Sequence, residues 1–293
     1  MEIRSFHEPD TGTWTYLLAD PDTGAAAVID PVCVYDPVGG QTDSDFIDTV
    51  LESARANGWR IEWVLETHAH ADHLSAAERV RSATGASLAC GAGITSVQRN
   101  FARVFNLPDL PTDGRQFDRL LREGDTLQLG GLRIRVIETP GHTRDSITYL
   151  VGDAAFIGDT LFAPGAGTAR CDFPGGDAGL LYDSVMKLYD LPPQTRLFLC
   201  HDYPAEGAQA VCGVTVARSR AENIHIRDGV DKAGFVAQRE ARDETLGLPR
   251  LILPALQVNI VGGGAPAPED NGVSYLKIPL NRTIEELIAG DEE

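Results

Sequence analysis

The stretch LETHAHADHL, residues 65–74, places three histidines and an aspartate within six consecutive positions, although the whole chain has only seven histidines. Packing of a hydrophobic core requires none of these side chains, whereas a metal site requires several. In extended backbone, His68 and His70 point to the same side. A helix that opened at Asp72 or His73 would turn those two side chains toward a neighbouring space. The stretch therefore predicts a loop that presents ligands to one or two metal ions, with a chemistry that suits Zn, Fe or Mn better than Ca or Mg.

Further candidate ligands stand directly after predicted strands elsewhere in the chain. His142 follows the strand RVIET by a Pro-Gly turn, Asp159 follows AAFIG, and His201 follows RLFLC. A carboxylate at Asp159 is costly after a buried strand unless it is paired or bound to metal. Side chains at the ends of neighbouring strands converge in α/β folds. We therefore expect these residues to join His68 in one site.

Hydrophobic periodicity predicts alternating strands and helices early in the chain and hairpins in both halves. The predicted strands and hairpins cover 13–19, 25–29, 61–67, 86–90, 125–139, 146–159 and 195–200. The predicted helices cover 42–58, 74–84, 177–188 and 231–247, and residues 91–122 are expected to be loop with a short helix. This mixture predicts an α/β fold in which helices cover the sheets. His7 and His225 lack a place at a strand end and are interpreted as surface or structural residues.

The bulk composition limits the classes of function. Hydrophobic residues make up 43% of the 293 positions, enough for a sizeable core, and the formal net charge is -18. So acidic a protein repels polyphosphate, which argues against nucleic acid and anionic membranes as partners. The five cysteines are widely spaced and contain no C-x-x-C pair, as expected for reduced thiols. Because the sequence predicts neither a membrane span nor a secretory signal, we expect a cytoplasmic protein.

Four motifs together carry a family resemblance. THAHADH, TPGHT, GDTLF and CHDY, in this order and at these spacings, resemble the metallo-β-lactamase superfamily over residues 16–203. The resemblance implies an αββα sandwich, with two mixed β-sheets flanked by helices and a metal site at one sheet edge. We expect residues 1–222 to form this core and residues 223–293 to form a C-terminal extension packed on the same domain.

Other segments resemble one branch of that superfamily. ARCDF at 169–173, the segment CHDYPAEG and the order of the C-terminal segments are similar to persulfide dioxygenases of the ETHE1 type, whereas glyoxalase II enzymes typically carry H-E-Y in place of HDY. The resemblance implies one Fe(II) per chain, held by His68, His142 and Asp159. It also implies glutathione persulfide and O2 as substrates, with sulfite and glutathione as products.

The same resemblance suggests roles for the remaining polar residues. Four of them are expected to surround the iron or to remain from a second metal position: His70, Asp72, His73 and His201. Arg170 is the candidate for binding a carboxylate of glutathione, because its fork-shaped cation matches a carboxylate, although a salt bridge is the plainer interpretation. Tyr203 is the candidate catalytic residue beside the open face of the iron, with simple packing as the alternative.

Three other functions stay open from the sequence. A glyoxalase II-type thioester hydrolase with two metals is the main alternative, because the candidate ligands of a second ion, Asp72, His73 and His201, are all present. The segments ARCDF and HDY and the C-terminal segments disfavour it. A nuclease of the same superfamily is disfavoured by the net charge of -18. A metal-binding sensor or scaffold without turnover is disfavoured by the open coordination positions. A homodimer is an expectation from the resemblance alone, since relatives often pair.

Overall fold

The computed structural model describes residues 1–204 and 207–289. Residues 205–206 of the CHDYPAEG segment and the last four residues of the expected C-terminal extension, 290–293, lie outside the described part. No helix in the described part is long and apolar enough to cross a membrane.

The strands of the described chain form two large sheets and one small one. In chain order they are β1 (Glu2–Glu8), β2 (Thr13–Asp20), β3 (Ala25–Ile29), β4 (Val32–Asp36), β5 (Gln41–Asp43), β6 (Arg60–Leu65), β7 (Leu74–Ser75), β8 (Ser87–Gly91), β9 (Arg119–Leu121), β10 (Thr126–Leu129), β11 (Leu132–Glu138), β12 (Ile147–Val151), β13 (Ala154–Phe156), β14 (Arg196–Phe198) and β15 (Gly213–Thr215). The first large sheet has the order β1-β2-β3-β6-β8-β9, and the second runs from β10 to β15 in sequence order. Both sheets mix antiparallel and parallel pairs, as expected.

Helices cover the outer faces of both sheets. They are α1 (Asp45–Ala56), α2 (Ala77–Thr84), α3 (Ile94–Val104), α4 (Ala178–Tyr189), α5 (Val216–Glu222), α6 (Lys232–Asp243), α7 (Ile252–Asn259) and α8 (Ile284–Ala289). Apolar residues of α1, α2, α3, α7 and α8 pack on the first sheet, and those of α4, α5 and α6 pack on the second. A separate apolar layer fills the space between the two sheets. The predicted sandwich with two mixed sheets flanked by helices is therefore confirmed.

The hydrophobic stripe of α1 shows how the sequence dictates these contacts. Ile47, Val50, Leu51 and Ala54 are all buried on one face of the helix, at the spacing that a 3.6-residue period requires. The helix ends at Asn57, before the left-handed Gly58. The predicted helix at 231–247 is also present in a shorter form, with Asp231 accepting a hydrogen bond from the Gly234 amide at its N-terminus.

Several predicted boundaries were wrong around the histidine loop and in the segments without clear periodicity. The helix after the loop, predicted at 74–84, begins only at Ala77, because Leu74–Ser75 first pairs with β4 as a short strand. The region 91–122 contains the expected helix, α3, which has eleven residues, and also the strand β9, which was not predicted. The sequence predicted no secondary structure for the segments that form β1, β4 and α7, and its predicted helix at 42–58 included two residues of β5.

Candidate metal centre

The histidine loop lies between β6 and β7 and is held in place by a buried carboxylate. Asp30 directly follows β3 and has a positive φ of 49°. Its side chain accepts hydrogen bonds from the Thr67 amide at 2.8 Å and the Thr67 hydroxyl at 3.0 Å, and it lies 3.1 Å from His70 Nε2. Burial lowers the pKa of His70, but the charge of Asp30 and the hydrogen bonds to Asp30, Cys200 and Glu66 together outweigh burial and raise that pKa well above its usual value. These contacts with Asp30 thus hold the loop backbone in place without a metal ion.

His68, His142 and Asp159 form the first donor cluster. One ligand atom from each lies within 4.8 Å of the others. Asp159 Oδ2 is 4.0 Å from His68 Nε2 and 3.7 Å from His142 Nε2. All three residues are buried. The structure therefore brings together the three residues that the sequence predicted as iron ligands, although their role as ligands remains a prediction.

Both imidazoles of the first cluster are oriented through their other nitrogen. His142 Nδ1 lies 2.8 Å from the backbone oxygen of Arg170, to which it donates, so its Nε2 lone pair faces the cluster. His68 Nδ1 lies 3.0 Å from the Thr67 hydroxyl. Burial, and then the neighbouring His70 and His142, hold the pKa of His68 well below its usual value. The neutral form, which is the form that binds metal, is therefore favoured.

A second donor cluster contains the remaining polar residues that the sequence singled out. Ligand atoms of four residues lie within 4.8 Å of one another: His70, Asp72, His73 and His201. His201 Nε2 is 3.0 Å from Asp72 Oδ2 and 3.4 Å from Asp159 Oδ1. Burial lowers the pKa of His201, but the two facing carboxylates raise it well above its usual value. This position therefore favours positive charge, and Asp159 presents one oxygen to each cluster.

The donor atoms fit a metal ion. Among residues 1–204 and 207–289, several buried donor atoms have no hydrogen-bond partner: His68 Nε2, His70 Nδ1, His73 Nε2, His201 Nε2 and Asp159 Oδ1. Buried polar atoms without partners are rare in folded proteins, because each loses its bonds to water. Imidazole and carboxylate donors in this number suit a transition metal.

A cavity of about 350 Å³ opens onto the clusters and is lined by Asp72, His142, Asp159 and His201 among others. Phe162, Phe173 and Leu246 form apolar parts of its wall. Tyr203 stands at its edge, 69% exposed, with its ring parallel to that of His201 at 6.0 Å between centroids. The cavity therefore gives a small molecule access to the donor atoms.

Arg170 also lines this cavity, but its guanidinium already has partners. Its Nε and Nη2 each donate to Asp172 at 2.6 Å, and its Nη1 donates to the Gly247 oxygen at 2.6 Å. The cation also lies over the Phe173 ring, 4.8 Å from the centroid. The salt-bridge interpretation thus describes what this side chain does here, and its predicted contact with glutathione stays a prediction.

The two histidines interpreted as structural lie away from both clusters. His7 Nε2 lies 3.1 Å from the Asp202 oxygen. His225 Nδ1 accepts a hydrogen bond from the Thr168 amide at 3.0 Å. Both side chains are engaged in local packing.

A family model described as the Metallo-beta-lactamase superfamily matches residues 9–201. The chain belongs to this superfamily. It is 50% identical over 292 residues to a probable metallo-hydrolase of Burkholderia pseudomallei, covering 96% of this chain and 99% of that protein. It is 42% identical over 283 residues to the protein called Glyoxylase B2 of Dictyostelium discoideum, covering 96% and 97%.

Among solved structures, the chain is similar to the crystal structure of ETHE1 from Myxococcus xanthus. The TM-score is 0.72 at 29% identity, over 90% of this chain and all of that one. The donor clusters and the metallo-β-lactamase fold together support a metal cofactor and an enzymatic function.

Three residues that position the loop of this metallo-β-lactamase fold were missed from the sequence. Asp30 follows a buried strand just as Asp159 does, so the same signal was available. Asp145 Oδ2 accepts a hydrogen bond from the Ala69 amide at 2.8 Å. Asn259, at the end of α7, donates to the backbone oxygens of His70 at 2.7 Å and His73 at 2.8 Å. No local sequence pattern indicates that last contact, because its partners lie almost 190 positions away.

We expect Asp30→Ala to lower the free energy of unfolding by about 3 kcal/mol, because the buried donors of Thr67 and His70 lose their acceptor. Asp30→Asn keeps one acceptor oxygen and a residue that tolerates positive φ, so its loss should be clearly smaller. Urea denaturation of both variants measures the difference, and metal analysis tests whether the loop still binds its ion. Equal losses for the two variants would contradict this role.

Proposed function

We propose that the protein is a persulfide dioxygenase that oxidises glutathione persulfide with O2 at one Fe(II). The main support for this proposal is a contact between the first donor cluster and the segment ARCDF. The backbone oxygen of Arg170 in that segment accepts the hydrogen bond from His142 Nδ1. The segment that resembles persulfide dioxygenases is thus the one that orients a candidate iron ligand. The similarity to the ETHE1 structure from Myxococcus xanthus at 29% identity supports the same interpretation.

Two histidines and one carboxylate on one side of an ion leave neighbouring coordination positions open, as in non-haem iron oxygenases. His68, His142 and Asp159 are the residues that would hold the ion. Fe(II) at this site supplies the one-electron and O2 chemistry that amino-acid side chains lack. The neutral state of His68, favoured by its burial, keeps its Nε2 available as a donor.

The cavity is suited to the terminal sulfur of a persulfide. Phe162 and Phe173 in its wall keep water away from the reacting sulfur, while Tyr203 remains the candidate catalytic residue at the entrance. The reaction balances when glutathione persulfide, O2 and one water give glutathione, sulfite and two protons. The protein's contribution is therefore the orientation of the ligands and the exclusion of competing reactions.

Oxygen uptake by the Fe(II)-loaded protein tests the proposal directly. On addition of glutathione persulfide we expect O2 consumption with an equal amount of sulfite, assayed in the same vessel. Protein with its iron content verified that consumes no O2 would rule the dioxygenase out. Zn-loaded protein is the matched control, because it keeps the fold without the redox chemistry.

A thioester hydrolase with two metals is the second candidate. It is favoured by the second donor cluster and by the position of Asp159, whose Oδ1 lies 3.4 Å from His201 Nε2 while its Oδ2 faces the first cluster. With His68, His142, Asp72 and His201, this carboxylate would help to hold two ions, and two ions at this place would supply the activated water that hydrolysis needs. Two metals per chain together with turnover of S-lactoylglutathione would support the hydrolase. One iron per chain and no turnover of S-lactoylglutathione would favour the dioxygenase.

A further inference from the structure

Three arginines line the cavity above the donor clusters: Arg170, Arg239 and Arg242. Two of them are neutralised by a neighbouring carboxylate. Arg170 pairs with Asp172, and the buried Arg239 pairs with Asp243 through its Nε and Nη2.

Arg242 differs from the other two. It is exposed, and within residues 1–204 and 207–289 its guanidinium has no hydrogen-bond or ion-pair partner. Among the three arginines of the cavity wall, Arg242 is therefore the one whose charge is available to a ligand.

We propose that Arg242 binds a carboxylate of the thiol that carries the reactive sulfur, and that it sets the preference of the site for an anionic carrier. This inference rests on the proposed use of a glutathione-derived substrate, in either the dioxygenase or the hydrolase reaction. A free guanidinium presents two parallel N–H groups that match a carboxylate. A chain with a net charge of -18 repels an anionic thiol elsewhere, so the cavity needs such a local cation.

Helix α6 holds Arg242 at a fixed place relative to the donor cluster. Arg239, one turn earlier on the same helix, donates through Nη1 to the Thr168 oxygen at 3.2 Å. Asp243 accepts a hydrogen bond from the Cys171 amide at 2.8 Å. Both bonds tie the helix to the segment whose Arg170 oxygen orients His142.

The same geometry gives the carrier a place to lie. Arg242 lies in the last turn of α6 and Leu246 lies three residues past the end of that helix, and both line the cavity that is also lined by His142 and Asp159. A thiol that extends from the donor atoms along this wall brings its carboxylate to Arg242. The stem of the carrier then contacts Leu246. Arg242 is thus a specificity-determining residue, and the metal chemistry does not require it.

Calorimetric titration of glutathione into the protein, with the metal it carries when purified, tests the inference under anaerobic conditions. We expect Arg242→Ala to weaken binding about tenfold, equivalent to about 1.4 kcal/mol. Arg135→Ala is the matched control, because it removes one exposed charge from β11, outside the cavity lining, and should bind glutathione as the unchanged protein does. Thermal denaturation of both variants should match that of the unchanged protein.

Glutathione diethyl ester, which lacks both carboxylates, separates charge recognition from packing. The unchanged protein should bind glutathione more tightly than the diester. In Arg242→Ala the ratio of these two affinities should fall about tenfold. If the variant binds glutathione unchanged, or keeps the full preference over the diester, Arg242 does not bind the carboxylate. In turnover the variant should raise KM and leave kcat unaltered, since this contact is the same in the ground and transition states.

The binding result and the test of the proposed function can fail independently. A protein that consumes no O2 with glutathione persulfide still gives a glutathione affinity, and loss of that affinity in Arg242→Ala would then apply to the thioester hydrolase. Normal O2 uptake with an unchanged affinity in the variant would overturn only the role of Arg242.

Discussion

Asp159→Ala is expected to purify with almost no bound metal and to lose activity by more than about 10³-fold, beyond the 10–100-fold typical of groups that only orient a ligand. The reason is the position of its carboxylate between the two donor clusters. Its Oδ2 faces His68 and His142, and its Oδ1 faces His201. Removal of this side chain takes one donor from each cluster, and it leaves the buried imidazoles without the anion that balances a cation among them.

Asp72→Ala is the informative companion variant. Asp72 belongs only to the second cluster, where its Oδ2 lies 3.0 Å from His201 Nε2. A mononuclear dioxygenase should keep its single iron in this variant, whereas a binuclear hydrolase should lose about half of its metal. Metal analysis of the two variants, alongside circular dichroism to verify the fold, reports both results. Full metal content in Asp159→Ala would contradict the assignment of this carboxylate as a ligand.

The second large effect is expected for Gly141→Ala, next to His142. Gly141 has φ of 141°, and a Cβ there would overlap the backbone N and Cα of Leu181 in α4. We expect a loss of about 4 kcal/mol, because overlap with packed backbone costs about 1–3 kcal/mol and a dihedral suited to glycine about 1–3 kcal/mol. The relief of this overlap should also displace His142, so the folded fraction should bind less metal.

Gly124→Ala separates the two causes of that loss. Gly124 also has a positive φ, 82°, but nothing lies within 4 Å of the position of a Cβ. This variant should therefore show only the dihedral cost, about 1–3 kcal/mol, and it should bind metal normally. Urea denaturation and metal analysis of both variants measure the two costs. Similar values for Gly141→Ala and Gly124→Ala would show that contact with Leu181 does not constrain the segment around His142.

The sequence predicted most of the site residues that follow strands, but few of the contacts between segments that are distant in the chain. The αββα architecture followed from the motifs. The convergence of strand ends predicted that His68, His142, Asp159 and His201 would meet, and the family resemblance selected the first three as iron ligands. The short strand at Leu74–Ser75 was missed because two residues carry no readable alternation.

The support around the site was harder to predict. Arg170 satisfied the pattern for a carboxylate-binding residue, yet its partner Asp172 lies only two positions away and takes up the charge. Arg242 carried no motif at all. Whether the guanidinium of Arg242 is free to bind a ligand depends on its neighbours in space and not on its neighbours in sequence. The sequence alone therefore could not distinguish it from the paired arginines.

The contact from Asn259 to the backbone oxygens of His70 and His73 has a consequence for biosynthesis. A ribosome releases the histidine loop long before it releases Asn259, since chains emerge from the N-terminus. Until α7 is present, the carbonyl groups of His70 and His73 in the nascent loop lack this partner. The full set of hydrogen bonds around the loop therefore forms only after the segment that carries Asn259 has left the ribosome.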